Sequence, residues 1–270
     1  MSRLVLVVLL LIGLIGIAVF LGEPEARQPF AVAPTSPVPE GGYATVSRNT
    51  LRGKVLREYA YEPSKAARSI AKRQASGSRN WYQFAPSGST AAPLVILFHG
   101  AGRSGLSMID MWKEVAQQND ILLLAPNTGG KNWQLQDFDQ LDFDIMLAAL
   151  ERNRPVDRNR IYLFGHSSGA LMANWMNNRL EGPWRAAAVH GGNAQASDIL
   201  PNAQGKPFRI YLGDQDHIFS VENAEATGRA MARAGHVVTV NVIPNHTHWF
   251  YEIGPQIAHD SWRWFDQLPR

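Results

Sequence analysis

The pattern of apolar and polar positions changes character several times along this chain. After Arg3, residues 4–21 contain no charged or polar side chain, and an apolar run of that length is enough to cross a bilayer as a helix. Residues 23–42 carry Pro34, Pro37 and Pro39 among Ala, Ser and Gly with no sustained period, the pattern of a linker. Residues 43–78 mix charges with scattered apolar side chains and read as a peripheral lead-in to which no chemistry is assigned. From residue 79 to residue 270, short apolar runs alternate with longer amphipathic segments. That alternation predicts a single α/β domain, in which strands of a mostly parallel central sheet alternate with covering helices.

Strands are predicted over 81–84, 94–98, 121–124, 161–164, 186–189, 208–212 and 237–243, and helices over 107–118, 141–153, 168–180, 221–234 and 255–268. Ser220 is placed to cap the start of the fourth helix and Gly235 to end it.

Residues 1–22 are expected to act as an uncleaved signal-anchor rather than a signal peptide. The nearest small-x-small triplet, Ala31-Val32-Ala33, lies well downstream and precedes Pro34. Arg3 before the run and Glu23 and Glu25 after it orient the N-terminus inward and the body outward. The expected location is therefore extracytoplasmic: tethered to a membrane at the periplasmic or cell-surface face, or secreted if the segment is cut.

Composition narrows the chemistry. With 45% hydrophobic and 18% charged residues, 270 residues suffice for one sizeable core. A net charge of +3 with no Lys/Arg run and no basic stripe among aromatics gives no reason to expect nucleic acid as a partner, and nothing demands an obligatory protein partner. The absence of cysteine excludes disulfides, thiolate metal sites and a cysteine nucleophile. Hydroxyl, imidazole and carboxylate groups remain.

The most informative stretch runs from an apolar strand through Gly165-His166-Ser167-Ser168-Gly169 into a helix. A serine at the tip of such a strand–turn–helix is held in a strained conformation that exposes its Oγ, while the flanking glycines let strand and helix approach. The N–H of Ser168 then opens a helix, where the dipole favours a developing negative charge. Upstream, an apolar strand ends in His99-Gly100-Ala101-Gly102. Acyl transfer needs a second oxyanion donor from such a loop, and the N–H of Ala101 is the candidate. His99 reads as a brace for the loop, and His166 as the turn's variable position.

An acid and then a histidine are expected downstream on loops after late strands. Asp214 and Asp216 compete for the first role, and His246 and His248 for the second. His190, His217 and His259 read as structural or exposed. The loop 127–140, with Trp133, follows a strand on the same edge and is a candidate wall for the pocket, without assigned substrate contacts. His246-x-His248 near Asp214-x-Asp216 also offers metal-ligand chemistry, but a metal hydrolase leaves the serine turn and the His-Gly-Ala-Gly loop unexplained. A non-catalytic extracytoplasmic binding protein is the other alternative.

The whole order, from residue 81 to the C-terminus, resembles the α/β-hydrolase superfamily. The resemblance rests on the His99-Gly100-Ala101-Gly102 loop, Asp157-Arg158-Asn159-Arg160-Ile161-Tyr162 leading into the serine turn, Gly213-Asp214-Gln215-Asp216, and His246-Thr247-His248-Trp249. Within the superfamily it resembles exported esterases of the polyhydroxybutyrate depolymerase-like and feruloyl-esterase-like kind, although it lacks the cysteines of many extracellular depolymerases and any separate substrate-binding module. The resemblance implies the α/β-hydrolase fold, a mostly parallel central sheet with helices on both faces, a triad of Ser167, Asp216 and His248 at the C-terminal edge of the sheet, oxyanion donors from Ala101 and Ser168, a small-molecule or polymer ester as substrate, and no cofactor.

Overall fold

In the strand Ala92–Phe98 every residue is buried, yet successive side chains serve different layers. Leu94, Ile96 and Phe98 join one hydrophobic cluster, and Val95 and Leu97 join the other. This is the period-two geometry of a strand covered on both faces, and it explains why the sequence shows a continuous apolar run rather than an alternation. The computed structural model describes residues 27–35, 38–55 and 60–269. Residues 4–21 lie outside the described residues, and among those described no helix is long and apolar enough to cross a membrane.

The strands in chain order are β1 (Ala31–Val32), β2 (Tyr43–Ser47), β3 (Lys72–Ser76), β4 (Arg79–Phe84), β5 (Ala92–Phe98), β6 (Leu122–Pro126), β7 (Val156–His166), β8 (Leu180–Glu181), β9 (Trp184–His190), β10 (Phe208–Gly213) and β11 (Val238–Ile243). The helices are α1 (Lys65–Ile70), α2 (Gly105–Asn119), α3 (Gln140–Glu151), α4 (Ser168–Arg179), α5 (Val221–Arg233) and α6 (Gly254–Asp266). Nine strands form one sheet in the order β2-β11-β10-β9-β7-β5-β6-β4-β3. Pairings from β2 through to β6 are parallel, whereas β4 runs antiparallel to both β6 and β3. All seven predicted strands and all five predicted helices are present, with shifted ends.

Helices α3, α4 and α5 cover one face through Met146, Leu147, Met172, Met176 and Met231, and α2 and α6 cover the other through Ile109, Trp112, Ile257, Trp262 and Phe265. Trp112 is fully buried, with its ring edge-on to Phe164 at 5.1 Å. Truncating such a side chain to alanine costs on the order of 3–5 kcal/mol. Local signals fix the helix starts: Asp139 and Asp142 form a reciprocal capping box on α3, and the Ser220 hydroxyl accepts from Asn223 N–H at the start of α5.

Two stretches are more structured than their sequence pattern suggests. The lead-in supplies both edges of the sheet, β2 beside β11 and β3 beside β4, as well as α1. Of the linker, residues 27–35 and 38–42 lie along the body: Phe30 is buried edge-on to Trp184 at 5.2 Å, and β1 pairs with β8. Polar edge strands such as Lys-Arg-Gln-Ala-Ser are solvated on most positions, so they carry no apolar alternation to detect.

Candidate active site

Ser167 occupies the tip between β7 and α4 with φ 53° and ψ −118°, a conformation sparsely populated by residues with a Cβ. Close approach forces its flanking residues to be glycine. A Cβ on Gly165 would stand 2.1 Å from Gly169 O, and one on Gly169 would stand 2.2 Å from Phe98 O. The Ser167 N–H donates to His190 O at 2.9 Å, and its own carbonyl accepts from Ala170 and Leu171 to start α4. The strain is thus held by hydrogen bonds on both sides of the serine.

Facing it, His248 Nε2 lies 2.9 Å from Ser167 Oγ, and His248 Nδ1 lies 2.9 Å from Asp216 Oδ2. The second oxygen of Asp216 accepts from Ile218 N–H at 2.8 Å and Phe219 N–H at 3.0 Å. Burial on its own would raise the Asp216 carboxyl, but the His248 bond and charge and these two N–H groups outweigh it and hold the carboxyl below its ordinary range. An ionised Asp216 accepts only, so Nδ1 carries the imidazole hydrogen and Nε2 is left to accept from the serine hydroxyl. Asp214 is exposed and spends Oδ1 on Asn245 N–H at 2.8 Å. That bond, with Gln215 N–H donating to His246 O, fastens the acid loop to the histidine loop.

His246 does not reach the serine. It is fully buried, its Nε2 is 2.9 Å from His190 Nε2, and His190 Nδ1 is 3.1 Å from His166 Nδ1. Among the described residues no group of three His, Asp or Glu side chains is arranged to hold a metal ion.

The His99-Gly100-Ala101-Gly102 loop lies against the turn: a Cβ on Gly100 would be 2.9 Å from His166 Cδ2 and 3.5 Å from Ser167 Cβ. Among the described residues neither Ala101 N–H nor Ser168 N–H has a protein acceptor. His99 is buried, which holds its imidazole below the ordinary range and so neutral; it takes Thr128 N–H on Nε2 at 3.3 Å and bonds Gly100 O through Nδ1 at 2.8 Å. Trp133 ties the two donor segments together. Its indole N–H donates to His99 O at 2.8 Å, and its backbone N–H donates to Ser168 Oγ at 2.9 Å.

Residues without a motif pack together next to this loop. Arg103 packs over the rings of Tyr61, Trp249 and Tyr251 at 5.3–5.7 Å, with Tyr61 stacked on Tyr251 at 3.9 Å. Tyr61 comes from the lead-in, to which the sequence assigns no chemistry and where a single tyrosine gives no pattern to read.

Comparison with known proteins agrees with this architecture. The family model of the dienelactone hydrolase family matches residues 125–264. Among solved structures, a thermostable esterase is 20% identical over 74% of this chain and 63% of its own, with a TM-score of 0.55. An esterase called PE8 is 19% identical over 73% and 99%, with a TM-score of 0.54. A thermophilic esterase from the Planctomycetes species Thermogutta terrifontis is 15% identical over 72% and 91%, with a TM-score of 0.56. This chain spans less than two thirds of the first of these three. At such identities the likeness concerns the fold. No curated protein matches, and the finer likeness to depolymerases and feruloyl esterases finds no support in these matches. The sheet order, the strained serine turn and a family model that covers more than half of the sequence lead to one assignment: this α/β-hydrolase-fold chain belongs to the dienelactone hydrolase family.

Proposed function

We propose that the protein is a serine carboxylic ester hydrolase that works through an acyl-enzyme. The observation that carries this reading is the unbroken line from Ser167 Oγ through His248 to a fully buried Asp216 carboxylate, 2.9 Å at each link, on a strained turn. The Ser167 hydroxyl passes its proton to His248 Nε2 as Oγ attacks the ester carbonyl, and Asp216 holds the ring and stabilises its cation. The N–H groups of Ala101 and Ser168 receive the oxyanion. Collapse of the tetrahedral intermediate expels the alcohol, which takes its proton from the imidazolium. Water, deprotonated by the same ring, then cleaves the acyl-enzyme and returns the proton to Ser167. Every atom of this sequence is supplied by the chain, the ester and water.

The test is turnover of a short aryl ester by wild type and Ser167→Ala. The variant is expected to lose at least about 10⁴-fold in kcat/KM with an unchanged melting temperature. Retained hydrolysis in the variant refutes the proposal. We further propose that residues 4–21 place the domain outside the cytoplasm, which is checked by protease accessibility of the body in intact cells.

A further inference from the structure

Two cavities adjoin on the face that carries Ser167. One, of about 340 Å³, has Leu171, Ile199 and Phe219 in its wall, and the other, of about 260 Å³, has Phe30 and Val32 in its wall. They share Leu135 and Trp175, so together they form one trough. Its inner end is built from the immediate neighbours of the reacting groups. Leu171 N–H donates to Ser167 O, which puts Leu171 one helical turn beyond the nucleophile. Phe219 donates its N–H to Asp216 and lays its ring nearly parallel to His248, at 21° and 5.8 Å.

Asn174, Asn178, Asn193 and Gln195 contribute polar groups to the larger cavity, but several of the side chains along the trough are apolar and water-facing. Val32 is 69% exposed, Leu135 52% and Leu171 41%, and exposed Ile218 adjoins Phe219. Contiguous water-facing aliphatic side chains mark a binding surface rather than ordinary exterior. Of the charged residues in its walls, Arg27 donates to Gln136 O, Arg179 donates to the backbone carbonyl of Asp198, and Asp139 caps α3.

We infer that this trough receives the acyl chain of the ester, and that the substrates are esters of linear aliphatic acids of medium to long chain rather than acetyl esters. The inference rests on the reading of Ser167 as nucleophile, since it is continuity with that site that selects an acyl chain as the occupant. A chain lying from Phe219 past Leu171 and Leu135 toward Val32 removes methylene groups from water one after another. Each methylene buried in the transition state raises kcat/KM by up to about fourfold.

The experiment is a series of p-nitrophenyl esters, from acetyl through butyryl and octanoyl to dodecanoyl, below their critical micelle concentrations, on wild type and Leu135→Glu. The expected result is a rise in kcat/KM at least to octanoyl and an octanoyl-to-acetyl ratio at least about tenfold lower in the variant. Leu135 is half exposed, so folding is expected to survive, and a melting curve checks it. Acetyl turnover with a flat or falling series in wild type overturns the chain-binding assignment and leaves the hydrolase reading standing, as does an unchanged ratio in the variant. No turnover of any ester by folded wild type overturns the hydrolase reading, and this inference with it.

Discussion

His248 and its three histidine neighbours occupy adjoining regions with opposite chemistry. At the rim, His248 is partly open, backed by a carboxylate and faced by a hydroxyl. Just beneath, His166, His190 and His246 form a buried string with ring centroids 5.1 and 5.0 Å apart, and the His166 ring lies only 5.2 Å from that of His248. Burial pushes all three well down from the ordinary histidine range, to about 4 for His246, and they repel one another's charged forms. They are therefore neutral and each carries one hydrogen.

The direction of that string follows from its ends. His166 Nδ1 also lies 3.3 Å from His190 O, which can only accept, so this nitrogen carries the hydrogen. His190 must then donate through Nε2 to His246 Nε2, and His246 Nδ1 keeps its hydrogen toward Glu252 Oε2, 3.7 Å away, where neither atom has another partner. The comparison teaches that a carboxylate facing Nδ1 is not sufficient by itself. Glu252 faces it in His246 and Asp216 in His248, and both Nε2 atoms are left to accept, but that of His248 faces a serine hydroxyl whereas that of His246 is taken by the His190 N–H.

The largest effect should separate the two histidines two residues apart. His248→Ala is expected to lower kcat/KM by at least about 10⁴-fold with little change in melting temperature. His246→Ala opens a cavity and strands the His190 N–H, so it should cost roughly 2–4 kcal/mol of stability while activity per folded molecule falls far less. Denaturant titration beside ester kinetics measures both, and equal catalytic losses in the two variants would erase the distinction drawn here.

The two carboxylates sharpen it next. Asp216→Asn should cost about 10⁴-fold, because an amide can hold the wrong imidazole tautomer. Asp214→Asn keeps an oxygen for Asn245 N–H and should stay within about threefold of wild type.

A smaller effect concerns acid. The buried histidines have folded-state pKa values below their unfolded value of 6.5. Above that value both states are neutral and stability is unaffected. As the pH falls below 6.5 toward about 4 for His246, the unfolded chain binds protons that the folded one refuses, and stability drops by about 1.4 kcal/mol per pH unit for each such histidine. Unfolding free energies measured between pH 7 and pH 4.5 should show this slope, reduced by one proton in a folded His190→Gln variant.

The strands and helices of the central domain were legible because double-sided burial writes itself as apolar runs, as in β5, and because Ser220 and Gly235 punctuate α5. The serine turn was legible for a different reason: Gly165 and Gly169 are required by contacts near 2 Å, so the spacing itself is the signal. The choice between His246 and His248 was not decidable from spacing, since both follow β11 on one loop. In the structure His246 is buried against His190, a contact 56 residues apart in sequence, and His248 is the ring that faces Ser167. The same holds for Phe30 and Tyr61, single aromatics whose partners, Trp184 and Tyr251, lie far along the chain.

One measurement tests the central claim most directly: the site and rate of labelling by a fluorophosphonate, read by peptide mass spectrometry on wild type and His248→Ala. The account predicts a single adduct on Ser167 that forms at least about a hundredfold more slowly without the His248 imidazole. No adduct on folded protein, an adduct elsewhere, or a rate indifferent to His248 would contradict it.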